Sequence, residues 1–374
     1  MSEKIPMRID RRTFRKWIMG LTGASLVGFM ARDLFKGVKT PAPTETPTST
    51  LAPTHTPPPG TTSTPVPTPT EEPWILPNRP SKLGIHAIKP NNTFPFVRDV
   101  TEGGGHVTLV KALGGIGLLP EVKTVSPNTV TVGRVEDIEN VDADGDPAEK
   151  AAQIMSVHME KWAQNREGVD YWEILNEANP GTPEGHAWLA RFHSAAMTIA
   201  EANGYRLALF SYSTGVPEWQ DWAAIVETGV FAQAKAGGHI LSLHEYNWPK
   251  MSTSWGIGLP NQPTPDPDRG VFTCRYRHLY RDFLIPRNEV IPLAITECGL
   301  DPGLPSGETV IDPDWKRRWL KEMAWYDSKL VEDDYVIGAA LFTIGGDDRW
   351  EHFDFESLLP DLQAYILMLK DAGK

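Results

Sequence analysis

Eight apolar segments of strand length follow one another after Trp74, and helical patterns lie between most of them. Strands that alternate with helices in this way form parallel sheets. Eight such units in about 295 residues predict an α/β fold, a closed (β/α)8 (TIM) barrel. The alternative is an open doubly wound sheet, but no Gly-rich phosphate loop convincingly follows any strand. The predicted strands are Lys82–Ile88, His106–Leu113, Thr129–Glu136, Tyr171–Glu177, Arg206–Ser213, Ile240–Tyr246, Pro292–Glu297 and Val336–Ile344.

Several of the helices between these strands are marked by their first residues. Asp146-Pro147 and Thr182-Pro183 each place a capping side chain before a proline, an arrangement that suits the first turn of a helix. Asp312-Pro313 has the same form. After the first two strands, Pro95–Glu102 and Gly115–Lys123 predict only poor helices.

The first 77 residues differ in composition from the rest of the chain. Within residues 1–39, Arg11-Arg12 and further basic residues precede a short apolar run, which is typical of an export signal; a basic amphipathic helix is the alternative. The Arg-Arg-x-Phe-x-Lys order resembles the bacterial twin-arginine signal. Residues 40–77 are rich in Pro and Thr, which predicts a disordered, extended stalk. We therefore expect a bacterial protein exported to the cell surface, periplasm or medium. Its N-terminal segment is a possible membrane tether, and its folded domain spans residues 78–374.

The charge of the chain excludes one class of partner. The net charge is −12, and residues 1–39 carry nine Lys/Arg against three Asp/Glu, so the remainder of the chain carries −18. Such an acidic domain repels phosphate backbones, and nucleic acid is not an expected partner.

Two cysteines, Cys274 and Cys298, are too few for a structural zinc site or a disulfide framework. Buried thiols are favoured for both residues, and a single disulfide bridge is the alternative.

Carboxylates and other polar residues end the predicted strands. Glu177 ends the apolar segment Tyr171–Glu177, and Glu297 ends Pro292–Glu297 in the same way. The C-terminal ends of the strands build the active site of a (β/α)8 barrel, so these side chains should converge. Two such glutamates are what general-acid and nucleophilic work on a glycosidic bond requires. The other polar residues at or near strand ends are His86, Lys111, Arg134, Asn176, Ser211, Ser213, His244, Glu245 and Tyr246.

The segment Trp172-Glu173-Ile174-Leu175-Asn176-Glu177, together with His244-x-Tyr246 and Glu297, resembles the clan of retaining (β/α)8 glycoside hydrolases. Trp-Glu-x-x-Asn-Glu is found in several of its families, including those of xylosidase, cellulase and mannanase type. The resemblance covers about residues 80–370, and it implies that Glu177 is the acid/base and Glu297 the nucleophile. It also implies that Asn176 binds the sugar 2-hydroxyl, that Tyr246 donates a hydrogen bond to the nucleophile, and that His244 positions the acid/base or the substrate.

The chain departs from the pattern of that clan at two positions. Lys111 lies in strand 2, where many members carry an Arg that orients the nucleophile. Strand 8 has no terminal Trp for stacking on the substrate, so Trp350 in the following loop is the candidate. His86 and Arg134 are further candidate substrate-binding residues. A structural role is the alternative for His86, Lys111 and Ser211.

The longest loop after any predicted strand is Trp248–Gly270, which contains Trp248 and Trp255. Long loops in compact domains are usually functional, and aromatic faces stack on pyranose rings. We predict that this loop lines a substrate cleft. The alternative is that both tryptophans pack the loop onto the barrel.

Metal-binding signals are weak in this sequence. Asp142–Asp146 has the composition of a calcium loop but not its spacing, which favours a surface turn. A metallohydrolase barrel would usually carry His-x-His in strand 1, where this chain has only His86. We expect neither a metal nor another cofactor.

Together these features predict an exported retaining β-glycosidase that hydrolyses O-glycosidic bonds of an extracellular poly- or oligosaccharide by double displacement. A carbohydrate is the expected partner. The alternative is a catalytically silent barrel that binds carbohydrate from a cell-surface stalk.

Overall fold

The computed structural model describes residues 73–373 except 137, 139, 264–266, 302, 304–312 and 348. The predicted export signal at 1–39 and most of the predicted stalk at 40–77 lie outside the described residues. Trp74–Lys374 forms one compact unit. Within the described ranges, no helix is both long enough and apolar enough to cross a membrane.

In the described part of the chain, eight parallel strands form a closed barrel in which each strand pairs with the one before and the one after it. The last strand pairs with the first, which closes the sheet. This confirms the predicted α/β fold and (β/α)8 architecture. The strands are β1 Leu83–Ala87, β2 Leu109–Leu113, β3 Val130–Arg134, β4 Tyr171–Glu173, β5 Leu207–Tyr212, β6 Ile240–Asn247, β7 Leu293–Leu300 and β8 Val336–Ile344.

Helices connect the strands, and two of them begin with the predicted caps. The Asp146 side chain accepts hydrogen bonds from the N–H groups of Ala148 and Glu149. The Thr182 side chain accepts one from the N–H group of Gly185. The helices are α1 Thr93–Glu102, α2 Leu118–Val125, α3 Pro147–Gln164, α4 Pro183–Ala202, α5 Trp219–Val226, α6 Val230–Gly237, α7 Tyr276–Leu279, α8 Ile285–Arg287, α9 Pro313–Leu330 and α10 Leu359–Leu369. A π-helical turn at Tyr280–Leu284 joins α7 to α8, and 3-10 turns lie at Glu351–Phe353 and Glu356–Leu358.

The first two helices are better formed than the sequence predicts. α1 begins at Thr93 and α2 at Leu118, so Pro95 and Pro120 lie in the first turn, where the missing N–H would have no partner within the helix. Packing of one apolar face, rather than local propensity, stabilises both helices. The buried apolar side chains are Phe96, Val97 and Val100 in α1 and Leu118, Leu119 and Val122 in α2.

The interior of the barrel changes from apolar to polar along the strands. Residues i and i+2 of a strand face the same side of the sheet. Lys111 follows the apolar Leu109 by two residues, and both are buried. Arg134 follows Val132 in the same way. An apolar layer therefore lies beneath the polar groups at the C-terminal ends of the strands. It consists of Leu109, Val132, Ala208, Ile240, Ala294 and Ala340.

β4 is shorter than predicted, because strand pairing ends at Glu173. The chain then runs to Glu177, whose φ of 54° lies in the left-handed region. The N–H group of Glu177 donates to the carbonyl oxygen of Ser211 at 3.0 Å, which ties this turn to β5. Non-glycine residues in this conformation are uncommon and cluster at functional sites.

Cys274 and Cys298 are both buried and free, so the prediction of buried thiols is confirmed. Cys298 Sγ lies 3.4 Å from the carbonyl oxygen of Ala340 in the neighbouring strand β8.

We expect a chain that begins at Pro73 to fold and function without residues 1–72. The barrel closes between β1 and β8, which both lie inside the compact unit Trp74–Lys374. Thermal unfolding of this shortened protein should be cooperative, and its turnover should equal that of the full chain. Circular dichroism and activity assays on both proteins test this. Insolubility or loss of turnover in the shortened protein would show that residues 1–72 are needed.

Candidate active site

An irregularity in β7 turns two consecutive side chains into the barrel. The pairing of β7 with both of its neighbours shifts around Thr296. Thr296 Oγ1 lies 2.7 Å from Ser242 Oγ of β6. The next side chain, Glu297, also points inward, with Oε1 2.9 Å from Lys111 Nζ. A β-bulge re-aims side chains in this way, and it directs the Glu297 carboxylate to the barrel mouth.

Donors and cations from four strands surround Glu297. Lys111 Nζ donates to Oε1 at 2.9 Å, and Tyr246 Oη donates to Oε2 at 3.2 Å. Burial alone would raise the pKa of Glu297, but electrostatic interactions with its neighbours, His244 and Lys111 first, lower that pKa well below the ordinary value. Glu297 is therefore an ionised carboxylate. The longer-range neighbours are His244 Nδ1 at 3.6 Å from Oε2, and His86 Nε2 and Arg134 Nη2, each 3.9 Å from Oε1.

Two of these neighbours have fixed protonation states. Burial, with a further contribution from Glu297, raises the pKa of Tyr246 well above its usual range, so the phenol stays protonated and donates. Burial, reinforced by the Lys111 charge, lowers the pKa of His86 well below its usual range, so that ring is neutral. Tyr246 thus has the contact with Glu297 that the sequence resemblance implies.

Glu177 and Glu297 both lie close to the same histidine, His244. His244 Nδ1 lies 2.9 Å from Glu177 Oε1 and 3.6 Å from Glu297 Oε2. A carboxylate oxygen of Glu177, a ring nitrogen of His244 and a carboxylate oxygen of Glu297 all lie within 4.8 Å of one another. Carboxyl groups of retaining glycosidases lie about 5–5.5 Å apart, and those of inverting enzymes about 6.5–9.5 Å. The 4.8 Å limit applies to one oxygen of each carboxylate, and this spacing is compatible with the carboxyl separation of a retaining pair.

A buried ion pair beside Glu297 includes one residue that sequence reasoning did not place in the site. Glu173 Oε2 lies 2.8 Å from Lys111 Nζ, and both side chains are fully buried. Lys111 thus contacts the predicted nucleophile, as the Arg of the resembling clan would. The sequence contained an indication of this pair. Glu173 is a carboxylate inside an apolar strand, which requires a buried cation, and Lys111 is a cation inside another predicted strand.

Several buried polar atoms around Glu297 have no hydrogen-bond partner within the described part of the chain. Buried polar groups in folded proteins are usually paired. A set of them beside two carboxylates is suited to a ligand rich in hydroxyl groups. These atoms are Arg134 Nε and Nη1, His86 Nε2 and His244 Nε2. The predicted substrate-binding residues Arg134, His86 and His244 are thus brought together at Glu297. Asn176, which precedes Glu177 in sequence, also has a buried Oδ1 without a hydrogen-bond partner among the described residues.

Aromatic rings from the end of β8 and the following loop border the site. Phe342 packs against His86, with ring centroids 4.8 Å apart, and against Tyr246 at 6.2 Å. The predicted residue Trp350 packs edge-on against Phe342, with ring centroids 5.4 Å apart. Sequence reasoning missed Phe342, although it is the aromatic residue near the end of strand 8.

Trp248 follows β6 directly, on the strand that carries His244 and Tyr246. Its side chain is 49% exposed at the C-terminal end of the barrel. This position is compatible with the predicted role in the cleft.

Trp255 lies in a different environment from Trp248. It packs edge-on against Trp325 of α9 at 5.2 Å, and Arg277 and Lys329 lie over its ring. The backbone of Trp255 bridges to Gly270, so the loop folds back on itself. These contacts are with the helix layer and favour the packing alternative over the predicted role in the cleft. The contact between Trp255 and Trp325 could not be predicted from the local sequence, because Trp325 belongs to a helix seventy residues later.

We expect replacements of these two tryptophans to have opposite effects. Trp255→Ala should lower the free energy of unfolding by roughly 3 kcal/mol and leave oligosaccharide affinity unchanged. Trp248→Ala should weaken oligosaccharide binding about tenfold with little loss of stability, because an exposed ring contributes mainly by stacking. Thermal denaturation and isothermal titration calorimetry on both variants measure these effects. The reverse pattern would place Trp255 in the cleft.

Glu245 faces away from the site. His244 and Tyr246 point inward, so Glu245 between them points to the helix layer. Its carboxylate accepts hydrogen bonds from the N–H groups of Cys274 and Arg275 and from the hydroxyl of Tyr326. Burial raises the pKa of Glu245 to about 7. Ser211, another of the predicted strand-end residues, contacts Ser242 of β6, with the two hydroxyl oxygens 3.2 Å apart.

Glu177, His244 and Glu297 are also a group of described residues whose ligand atoms lie close enough together to hold a metal ion. In this structure His244 Nδ1 lies 2.9 Å from Glu177 Oε1 and 3.6 Å from Glu297 Oε2, and Lys111 Nζ donates to Glu297 Oε1. Lys111 and Arg134 also place two positive charges beside the position that a metal cation would take. The donor set therefore fits proton transfer better than metal binding.

Comparison with known proteins gave matches only among solved structures. No protein-family profile matches the chain, and no curated protein sequence matches it. The three solved structures described below, which resemble it, are glycoside hydrolases. A family 39 glycoside hydrolase from Bacteroides cellulosilyticus aligns with a TM-score of 0.47 and 13% identity, covering 79% of this chain and 65% of that one.

Two further structures align in the same way. A β-glucuronidase from an uncultured Clostridium sp. has a TM-score of 0.43 and 11% identity, covering 78% of this chain and 53% of that one. The catalytic domain of a mannanase from Streptomyces sp. has a TM-score of 0.40 and 15% identity, covering 84% of this chain and 97% of that one. The chain thus spans about half to two thirds of the length of the glucuronidase and the family 39 enzyme.

Proposed function

We propose that this protein is a retaining β-glycosidase in which Glu297 is the nucleophile and Glu177 the acid/base. One observation carries the proposal: Glu177 and Glu297 approach within 4.8 Å across His244 but have different environments. Lys111 and Tyr246 donate hydrogen bonds to Glu297, and electrostatic interactions with His244 and Lys111 lower its pKa well below the ordinary value, which suits a nucleophile. The only side-chain hydrogen bond of Glu177 in the described structure is to His244, a group that can accept or donate a proton.

In the first step, Glu177 donates its proton to the glycosidic oxygen while a Glu297 oxygen attacks the anomeric carbon. The bond between the anomeric carbon and the leaving oxygen breaks, and its electron pair leaves with the protonated aglycone. The Tyr246 hydroxyl and the Lys111 ammonium hold the attacking carboxylate in one orientation. The products of this step are a glycosyl ester on Glu297 and an ionised Glu177.

In the second step, Glu177 accepts a proton from water, and the water oxygen attacks the same anomeric carbon. The ester bond to Glu297 breaks, and Glu297 becomes a carboxylate again. Two inversions give net retention of configuration. His244, at hydrogen-bond distance from Glu177, is placed to stabilise both of its charge states.

We propose an extracellular poly- or oligosaccharide as the substrate. The unpaired buried donors and acceptors beside Glu297 support a hydroxyl-rich ligand, and the exposed Trp248 supports stacking on a sugar ring. The basic and apolar residues 1–39 and the Pro/Thr-rich residues 40–77 support export and a spacer at the cell surface.

Hydrolysis of a panel of aryl glycosides and polysaccharides, followed by proton NMR of the first-formed sugar, tests this function. We expect release of a sugar with the β configuration of the substrate. Release of the α anomer would exclude retention. Binding of a glycan without any hydrolysis would support the alternative, a silent carbohydrate-binding barrel.

A further inference from the structure

Lys111 lies between two buried carboxylates. Its Nζ is 2.9 Å from Glu297 Oε1 and 2.8 Å from Glu173 Oε2. The Lys111 and Glu173 side chains are fully buried, and that of Glu297 is 9% exposed. Lys111 belongs to β2, Glu173 to β4 and Glu297 to β7, so one ammonium group connects three strands across the barrel.

Glu173 is itself held from a second side. Ser242 Oγ donates to Glu173 Oε1 at 2.7 Å. Ser242 Oγ also lies 2.7 Å from Thr296 Oγ1, next to Glu297 in sequence. Burial would raise the pKa of Glu173, but Lys111, Arg134 and His244 outweigh it and lower that pKa to about 2. Glu173 is therefore a fixed negative charge.

A lysine ammonium alone is a poor means of orienting a carboxylate. It is a compact charge on a flexible stem, and it lacks the planar fork with which an arginine grips a carboxylate. Fixing the position of the Lys111 ammonium group requires a second hydrogen-bonding or ion-pair partner besides Glu297. Glu173 is the described residue that supplies one, at hydrogen-bond distance from Lys111.

We propose that Glu173 is a positioning residue for the nucleophile. By holding the Lys111 ammonium, it fixes the direction from which Lys111 donates to Glu297 and so the orientation of the attacking carboxylate. Glu173 contacts neither the reacting atoms nor the substrate, and it acts only through Lys111. The catalytic part of this inference depends on the proposed glycosidase function.

Crystal structures of the wild type and of Glu173→Gln test the positioning claim without any substrate. Glutamine keeps the size of the side chain and removes its charge. We expect Lys111 Nζ to leave its position or to occupy more than one, and the Glu297 carboxylate to rotate with it. Unchanged positions of both groups in Glu173→Gln would overturn the proposal, whether or not the protein hydrolyses glycosides.

A double-mutant cycle tests the catalytic consequence. On an activated aryl glycoside, Glu173→Gln should lower kcat about tenfold with little change in KM, which marks an interaction that matters in the transition state. In a Lys111→Met background, Glu173→Gln should cause no further loss of kcat. Equal losses in both backgrounds would show that Glu173 does not act through Lys111.

The double variant of the cycle and two further variants keep this test decisive. The pair Lys111→Met with Glu173→Gln removes both members of one buried ion pair, so Glu173 is not left as an unpaired charge, and Glu297 keeps Tyr246 and Arg134 as neighbours. Glu173→Asp keeps the charge and should restore part of kcat. Asp333→Asn is the matched control, because it removes a buried carboxylate that is paired with a buried cation, Arg277, and has no contact with the candidate site among the described residues. A loss of kcat in Asp333→Asn equal to that in Glu173→Gln would indicate a general effect of buried charge removal and overturn the proposal.

Discussion

Glu297→Ala should lose turnover on every glycoside, by about 10⁴-fold or more, because no glycosyl-enzyme can form without the carboxylate. The loss should be the same for good and poor leaving groups. The fold should persist, because Lys111 keeps Glu173 as a partner at 2.8 Å. Steady-state kinetics on aryl glycosides of different leaving-group pKa, with thermal denaturation of the same samples, measure both expectations.

Azide provides a specific check on the role of Glu297. In Glu297→Ala the vacated space can admit azide, which attacks the anomeric carbon directly and gives a glycosyl azide of inverted configuration. Glu297→Gln, which fills that space, is the matched control and should give no such product. A glycosyl azide of retained configuration from Glu297→Ala would assign the nucleophile to another residue.

Glu177→Ala should fail in a different manner, because its task is proton transfer. On substrates with poor leaving groups we expect a loss of about 10²–10⁴-fold in kcat/KM. On dinitrophenyl glycosides, whose leaving group needs no proton, glycosylation of Glu297 should proceed at nearly the wild-type rate. The glycosyl-enzyme should then accumulate, which a pre-steady-state burst would reveal.

Azide should accelerate the second step of Glu177→Ala and give a glycosyl azide of retained configuration. Glu184→Ala, at an exposed position in the first turn of α4, is the matched control and should behave as the wild type. Equal losses in Glu177→Ala on activated and unactivated substrates, with no azide product, would remove Glu177 from the role of acid/base.

Much of the fold was predictable because it depends on periodic patterns. The eight strands are short apolar segments with helical patterns between them, and the caps Asp146 and Thr182 begin their helices as expected. α1 and α2 were harder to predict, because their prolines lower local helix propensity while packing on the barrel stabilises them. Tertiary contacts of this kind do not appear in a local window of sequence.

The candidate site was predictable where residues end strands. Glu177, His244, Tyr246 and Glu297 follow that rule, and in the structure they meet at the barrel mouth. Glu173 was missed because it lies inside the predicted strand Tyr171–Glu177, although β4 ends at Glu173 in the structure. Its partner Lys111 is distant in sequence, so only the closed barrel brings the two together.

Loops were the least predictable part of the site. Trp248 and Trp255 belong to one loop, yet one is exposed at the barrel end and the other packs against α9. The direction of a loop depends on contacts with distant segments, and sequence alone does not specify these contacts.

One strand holds both carboxylates of the candidate site. His244 and Tyr246 are two residues apart on β6, and they contact Glu177 and Glu297 respectively. Two residues of a β-strand span about 6.6 Å, so the rigid backbone of β6 limits how far apart the two carboxylates can lie. Glu245 between them anchors β6 to the helices. Substitutions in the surrounding loops can therefore alter which sugar is bound without altering the distance on which the stereochemistry of the reaction depends.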